Sequence, residues 1–244
     1  MGSFTVVIPA RLASSRLERK ALADLGGKPM VVRVAERLAQ SAANRIIVAT
    51  DAQEIESVCK AAKLEVMMTR ADHPSGSDRL AEVVQRLDLN DESIVVNVQG
   101  DEPLIPVNLI NQVANTLQSK SHCAIATAAV AIENQEEIVN PNAVKVVLNK
   151  NNEALYFSRS IIPFDRSQNS PTYYRHLGIY AYRARFLRDF SKLASSPLEQ
   201  AESLEQLRAL WHGFAIAVYI TSVSPPPGVD TQADLDRVRQ FFRI

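Results

Sequence analysis

Cysteine is scarce, net charge is nil and no long apolar run occurs, and each shortage removes a class of protein. Only Cys59 and Cys123 occur in 244 residues, and neither lies in a CxxC pair or a Cys/His cluster. That spacing argues against a disulfide framework and a structural zinc site, and it fits a reducing cytoplasm. Twenty-seven basic residues balance 27 acidic ones, so the chain lacks the footprint of a dedicated nucleic-acid binder and any anion recognition must be local. The apolar run Phe4 to Ile8 is too short for a signal sequence. No apolar stretch reaches the length of a membrane span, so a soluble, unexported chain with no membrane partner is expected. Internal repeats and low-complexity tracts are also missing, and the length suits one domain covering residues 1–244.

What is present is alternation. Short runs rich in Val, Ile or Met, at Thr5 to Ile8, Ile46 to Ala49, Glu65 to Met68 and Ile94 to Val98, are separated by segments of helical period. Val31, Val34, Ala35 and Leu38 recur at i, i+3, i+4, i+7; Ile55 to Ala62, Leu80 to Leu87 and Ile110 to Leu117 repeat the pattern. Four strand-helix units in series predict an α/β fold around a parallel, doubly wound sheet. Asp51 before Glu54 and Ser75 before Asp78 read as capping boxes, and so does Thr231 before Asp234. Beyond about residue 120 the pattern turns to strands, in "CAIATAAVAI", a hairpin turning at Asn149 to Asn152, and "HLGIYAY". These extend the sheet or build a lobe over its edge. A helix over Leu198 to His212 stopped by Gly213, the strand "AIAVYITSV" and a helix from Thr231 complete the reading.

In such a sheet ligands bind outside the carboxyl ends of the strands, and the unusual residues collect there. "PARLASSRLERK" follows the first strand, "TD" the second, "TRADHPSGSDR" the third and "QGDEP" the fourth. Arg11, Arg16, Arg19 and Lys20 in one loop suit a multiply charged small anion, most simply a nucleoside triphosphate, unless they form only a solvated basic surface. The loop is not GxxxxGK[ST], which excludes a P-loop. It lacks GxGxxG, which excludes a nicotinamide oxidoreductase of the Rossmann type. Asp101 follows a buried strand and a glycine, and is either a turn aspartate or a ligand to a cation. Asp230 on spacing alone reads as structural, beside a capping box. Two carboxylates meeting near the basic loop would suit Mg²⁺.

With these residues in hand, the whole chain resembles the 3-deoxy-manno-octulosonate cytidylyltransferase family. The matching segments run in order from "IPARLASSRL" through "GGKPM", "MTRADHPSGSDRL", "VVNVQGDEPLIP", "YRHLGIYAYR" and "ESLEQLRALWHG" to "PPGVDTQADLDRV". The resemblance implies a nucleotide-diphospho-sugar transferase fold with a mostly parallel central sheet, helices on both faces and a small β-rich dimerisation lobe. It implies a cytoplasmic homodimer that uses Mg²⁺ to couple CTP to a 3-deoxy sugar acid for lipopolysaccharide biosynthesis. It also implies that Ala10, Arg11, Arg16 and Lys20 face the triphosphate and that Thr69, Ser75, Gly76 and Arg79 help hold the cytidine. Lys20, Asp101 and Asp230 would be the catalytic set, with Asp101 and Asp230 as metal carboxylates, against the structural reading of Asp230. Gln99, Arg159, His176, Tyr180, Glu205 and Gln206 would contact the sugar acid.

One departure stands out. Where the family usually has Arg-Leu-Pro-Gly-Lys-Pro-Leu, this chain has "RLERKAL", so Glu18, Arg19 and Ala21 replace Pro, Gly and Pro. That gives up rigid turns and a residue free to take positive φ, and it adds a carboxylate near the triphosphate. The competing readings are a transferase for an amino-modified octulosonate or a sialic acid, and a nucleotide-binding relative with reduced activity.

Overall fold

The computed structural model of the chain describes residues 3–12, 17–73 and 75–242. The first half follows the alternation: β1 (Phe4–Ala10), α1 (Met30–Leu38), β2 (Arg45–Thr50), α2 (Gln53–Ala61), β3 (Glu65–Met68), α3 (Gly76–Arg86), β4 (Ile94–Asn97) and α4 (Val107–Ser119). β1 pairs in parallel with both β2 and β4, and β2 with β3. The strand order therefore reverses at β1, which opens a crevice between the loops that follow β1 and β4.

The second half is β5 (Ile125–Ala131), α5 (Gln135–Val139), β6 (Lys145–Leu148), β7 (Ala154–Ser158), β8 (Tyr174–Arg183), α6 (Ala184–Phe190), α7 (Pro197–Glu202), α8 (Gln206–Trp211), β9 (Ile216–Thr221) and α9 (Gln232–Arg239). The sheet runs β3-β2-β1-β4-β8-β5-β9, with the β6–β7 hairpin attached beside β8. β8 is antiparallel to both β4 and β5, while β5 and β9 are parallel to each other. The sheet is mostly parallel, as expected; the strands beyond residue 120 bring the antiparallel pairings, those of β8 with β4, β5 and β6 and of β6 with β7.

Strand alternation sends Val6 and Ile8 to one face, where α1, α2, α4 and α9 pack, and Val7 to the other, covered by α3, α6 and α8. Two apolar cores on opposite faces of one sheet account for the high aliphatic content of the strands.

Two local expectations need correction. Asp51 does not cap α2, whose N-cap is Ala52 with no side-chain bond; Asp51 instead accepts a hydrogen bond from Arg79 at 2.7 Å. The single helix over Leu198 to His212 is two short helices, α7 and α8, broken at Ser203, where φ is +52°. Leu204 and Leu207 are buried as the stripe required, but Trp211 is 55% exposed. Thr231 and Asp234 form the full capping box, whereas Ser75 caps α3 through its side chain alone, accepting from Asp78 N–H. No helix among the described residues is long and apolar enough to cross a membrane.

Candidate active site

The crevice at the order reversal gathers charge from three distant parts of the chain. The loop after β4 crosses the end of β1 so closely that a Cβ on Gly100 would stand 3.2 Å from the Pro9 carbonyl oxygen. The segment after β9 then lies against that loop: Val229 N–H donates to the Asp101 carbonyl at 2.8 Å, and a Cβ on Gly228 would come within 3.3 Å of the same oxygen. Glycine at both positions lets three backbones nest and brings Asp101 and Asp230 to one place.

Between them sits Lys20, which opens the 3-10 turn Lys20–Leu22. Its Nζ donates to Asp101 Oδ2 at 2.5 Å and to Asp230 Oδ1 at 3.1 Å. Partial burial pulls its ammonium down, but the hydrogen bonds and charges of the two aspartates together hold it above the ordinary lysine value. Asp230 lies beside the Thr231/Asp234 capping box, as spacing suggested, and its N–H donates to Asp234 Oδ2 at 3.2 Å, while its carboxylate accepts from Lys20.

The other basic residues of the loop part ways. Arg11, just past β1, donates from Nη2 to the His73 carbonyl at 3.0 Å, tying the first loop to the one after β3. Ala10 is buried at the end of β1. Arg19 pairs with Glu54 at the surface. Its φ of +53° keeps the left-handed conformation that a glycine would supply freely. Arg16 lies outside the described residues.

Flanking this charged centre, Thr69 N–H bonds the Thr50 carbonyl at 2.7 Å. Ser75 caps α3 by accepting from Asp78 N–H at 3.2 Å, with Gly76 the first helical residue. Arg79 is completely buried. Its guanidinium bonds Thr69 Oγ1 and Asp51 Oδ2, while Nε has no partner. It thereby fastens the ends of β2 and β3 to α3. His73 and Glu82 form a 2.5 Å pair, and Glu82 Oε2 also accepts from Arg70 N–H at 2.9 Å, so the turn between β3 and α3 is pinned from beneath.

On the other side of the crevice the chemistry changes. Phe157, His176, Tyr180, Tyr182 and Phe186 form a ladder of rings with centroids 4.9–6.1 Å apart. The β5–β8 register shifts at Thr127/Ala128, and the Thr127 hydroxyl bonds the Ile179 carbonyl at 2.7 Å and lies 2.9 Å from His176 Nε2. Loss of solvent, and secondarily Arg175, push His176 down to about 3. Desolvation raises Tyr180 well above the usual phenol range.

Glu205, at the head of α8, accepts from Ser77 Oγ at 2.9 Å, and its Oε1 is buried without a partner. Desolvation raises this carboxyl against the opposing pull of Ser75, Ser77 and Arg208. Gln206 beside it is buried. Arg159 binds the carbonyls of Glu202 and Pro141 at 2.7 and 3.1 Å. Gln99 leads from β4 into the Asp101 loop, where its carbonyl accepts from Glu102 N–H at 3.3 Å.

A cavity of about 410 Å³ also opens beside the crevice, lined among others by Glu102, Ile105, His176, Gly178 and Asp230. Desolvation, and then the charge of Asp101, push the Glu102 carboxyl up to about 7.

Residues 5–217 fit the model of the family described as cytidylyltransferase. The chain belongs to the cytidylyltransferases. It is 59% identical over 242 residues to the 3-deoxy-manno-octulosonate cytidylyltransferase of Polynucleobacter asymbioticus, covering 98% of this chain and 95% of that one. It is 56% identical to the enzyme of the same name from Leptothrix cholodnii, covering 98% and 92%. Among solved structures, a CMP:2-keto-3-deoxy-manno-octonic acid synthetase complexed with CTP superposes with a TM-score of 0.92 at 42% identity, over 99% of this chain and 98% of the other. A putative glucose-1-phosphate thymidylyltransferase from Bacillus anthracis shares the fold at a TM-score of 0.67 and 14% identity, covering 99% and 96%.

Asp51 and Glu102 stood in the stretches singled out after β2 and β4 but were given no role beside the crevice, and Glu82 was not singled out. The partners of Asp51 and Glu82 come from packing that no local spacing records.

Proposed function

We propose that this protein transfers CMP from CTP to the anomeric hydroxyl of 3-deoxy-manno-octulosonate, releasing pyrophosphate, in lipopolysaccharide biosynthesis. The observation that carries the reading is the Lys20 bridge between Asp101 and Asp230 at the crevice. It occurs in a chain 56–59% identical to enzymes bearing that name. The transfer forms a bond from the sugar oxygen to the α-phosphorus and breaks the bond to the leaving pyrophosphate; the hydroxyl proton leaves to solvent.

Two oxygen-only carboxylates that already share a cation, with Asp101 26% and Asp230 41% exposed, fit a Mg²⁺ ion that keeps water and phosphate oxygens in its shell. Asp101 and Asp230 would hold the ion, which when bound supplies charge neutralisation for the phosphoryl oxygens and the attacking oxygen. Lys20 would then turn from the carboxylates to the triphosphate, joined by Arg11 and Arg16 beside Ala10. Thr69, Ser75 and Gly76 would line the cytidine side, held in shape by Arg79. Arg159 suits the sugar carboxylate, and Gln99, His176, Tyr180, Glu205 and Gln206 suit its hydroxyls. Positioning and charge compensation would supply most of the rate. The exposed apolar side chains Val139, Ile161 and Phe164 support a homodimer formed through the region around the β6–β7 hairpin.

The test is pyrophosphate release with Mg²⁺ and CTP, comparing the octulosonate, its 8-amino analogue and N-acetylneuraminic acid, with ATP, GTP and UTP as controls. Release confined to CTP with the octulosonate supports the assignment. Preference for the amino analogue or for N-acetylneuraminic acid would transfer the assignment to that acceptor, and silence in a folded, CTP-binding protein would overturn it.

A further inference from the structure

At the opposite end of the sheet from the crevice, three different metal-ligating side chains meet. His122 Nε2, Cys123 Sγ and one carboxylate oxygen of Glu153 all lie within 4.8 Å of one another. The turn between α4 and β5 supplies the first two, and the residue before β7 supplies the third. His122 and Cys123 are neighbours, but Glu153 stands 31 residues from His122, so Cys and His spacing alone gave no sign of a site.

The distances suit a tetrahedral ion. Zinc bonds of about 2.3 Å to sulfur and about 2.0 Å to nitrogen or oxygen place neighbouring ligands about 3.3–3.5 Å apart. Sγ and Nε2 are 3.4 Å apart and Nε2 and Glu153 Oε1 are 2.9 Å apart, so these two pairs lie within about half an ångström of that geometry, and the sulfur and the Glu153 oxygen lie within 4.8 Å of each other.

The ligands are also held from behind. Asn149 Nδ2 donates to Glu153 Oε2 at 3.0 Å, and Asn149 Oδ1 accepts from the Glu153 N–H at 3.0 Å. Arg183 Nε donates to the Cys123 carbonyl at 2.9 Å, while Cys123 N–H bonds the Lys120 carbonyl at 3.0 Å. Supporting bonds of this kind orient ligands at metal centres. The sulfur is buried, whereas His122 is 62% exposed, which leaves a path for an ion and a fourth position for water. Lys120 Nζ stands 3.4 Å from Glu153 Oε1 and also bonds the Asn151 carbonyl. It can withdraw to that carbonyl when another cation takes the carboxylate.

We propose that His122, Cys123 and Glu153 bind a zinc-class divalent ion that clamps the α4–β5 turn to the β6–β7 hairpin. Thiol and imidazole ligands select such an ion over Mg²⁺. Binding converts the Cys123 thiol to a metal thiolate and releases its proton to solvent, with a second proton released wherever His122 is charged. Affinity therefore rises with pH. The site is independent of nucleotidyl transfer, since its ligands leave from the amino end of β5.

Co²⁺ is the probe. The full chain, reduced and free of Mg²⁺, is titrated and read by absorption. One equivalent should give a thiolate-to-cobalt charge-transfer band with visible bands of four-coordinate strength, displaced by Zn²⁺ and untouched by millimolar Mg²⁺. The aspartates of the crevice offer no sulfur and cannot produce that band. Cys123→Ser should abolish it and Cys59→Ser should retain it. His122→Ala, at an exposed position that leaves the fold alone, should weaken binding by at least about tenfold. No charge-transfer band from the folded protein, a band that survives Cys123→Ser, or unchanged affinity in His122→Ala would each overturn the proposal.

Discussion

Two walls of one crevice handle polarity in opposite ways. Along the wall proposed for the nucleotide, charges stand in loops and compensate one another in partial contact with solvent, as Lys20 does with Asp101 and Asp230. Along the wall proposed for the sugar acid, polar groups stand on β8 and α8, and desolvation holds His176 and Tyr180 neutral and raises the Glu205 carboxyl. The difference follows from the ligands proposed for each. A triphosphate brings its own charge, and mobile cations can turn to meet it; a polyhydroxylated acid needs hydrogen bonds of fixed direction with little charge nearby except at its carboxylate.

The comparison can be broken first on the charged wall. Asp101→Asn and Asp230→Asn should each lower kcat by about a thousandfold, on the scale of losing a charge-stabilising group at a reacting phosphate. The melting temperature should stay near that of the parent protein. If Asp230→Asn kept its kcat and lost thermal stability instead, Asp230 would be serving α9 after all.

The neutral wall should show itself in acid. His176 titrates near 3 when folded, against 6.5 for the free side chain. The lowered value means the unfolded chain binds the proton first. The contribution of His176 is thus complete above about pH 6.5 and drains away as the pH falls toward 3, reaching about 3 kcal/mol by pH 4. Denaturant unfolding across that range should steepen with acidity in the parent and flatten in His176→Asn. Equal slopes would mean that the ring is not held neutral.

A smaller effect sharpens the division between walls. Glu205→Gln keeps the shape and removes the ionisable oxygen, so the KM for the sugar acid should rise about tenfold, the worth of roughly one good hydrogen bond, while the KM for CTP stays unchanged. The smallest effect concerns Arg19. Glycine there relieves a left-handed arginine at a cost of only a surface ion pair, so Arg19→Gly should lower the KM for CTP two- to threefold and add at most about 1 kcal/mol of stability. A higher KM would show that Arg19 itself assists the triphosphate.

The first half of the fold was legible because strand and helix periods alternate cleanly there, and Ser75 there, like Thr231 before α9, marks a helix start with its side chain. Asp51 carries the same mark, yet the buried Arg79 claims it. β8 was readable as a strand but not in its direction, since alternation of side chains is the same whichever way a strand runs. The apolar stripe through Leu204 and Leu207 continues across Ser203, so the break that puts Glu205 at the head of α8 left no trace in the pattern. The charged residues of the site were visible as unusual residues after strands. Their meeting was expected from the family resemblance and not from spacing, because it depends on loops from residues 20, 101 and 230 nesting over glycine.

The inverted strand also orders the birth of the molecule. β8 fits between β4 and β5, so a growing chain must carry β1 to β4 with one edge open, and β5 without its central neighbour, until residue 183 has been made. Unpaired edges of this kind invite pairing with other chains. A truncation before β8 would remove the wall built on β8 and α8 and leave β4 and β5 each with a sticky margin. The same late strand that joins them closes both margins at once.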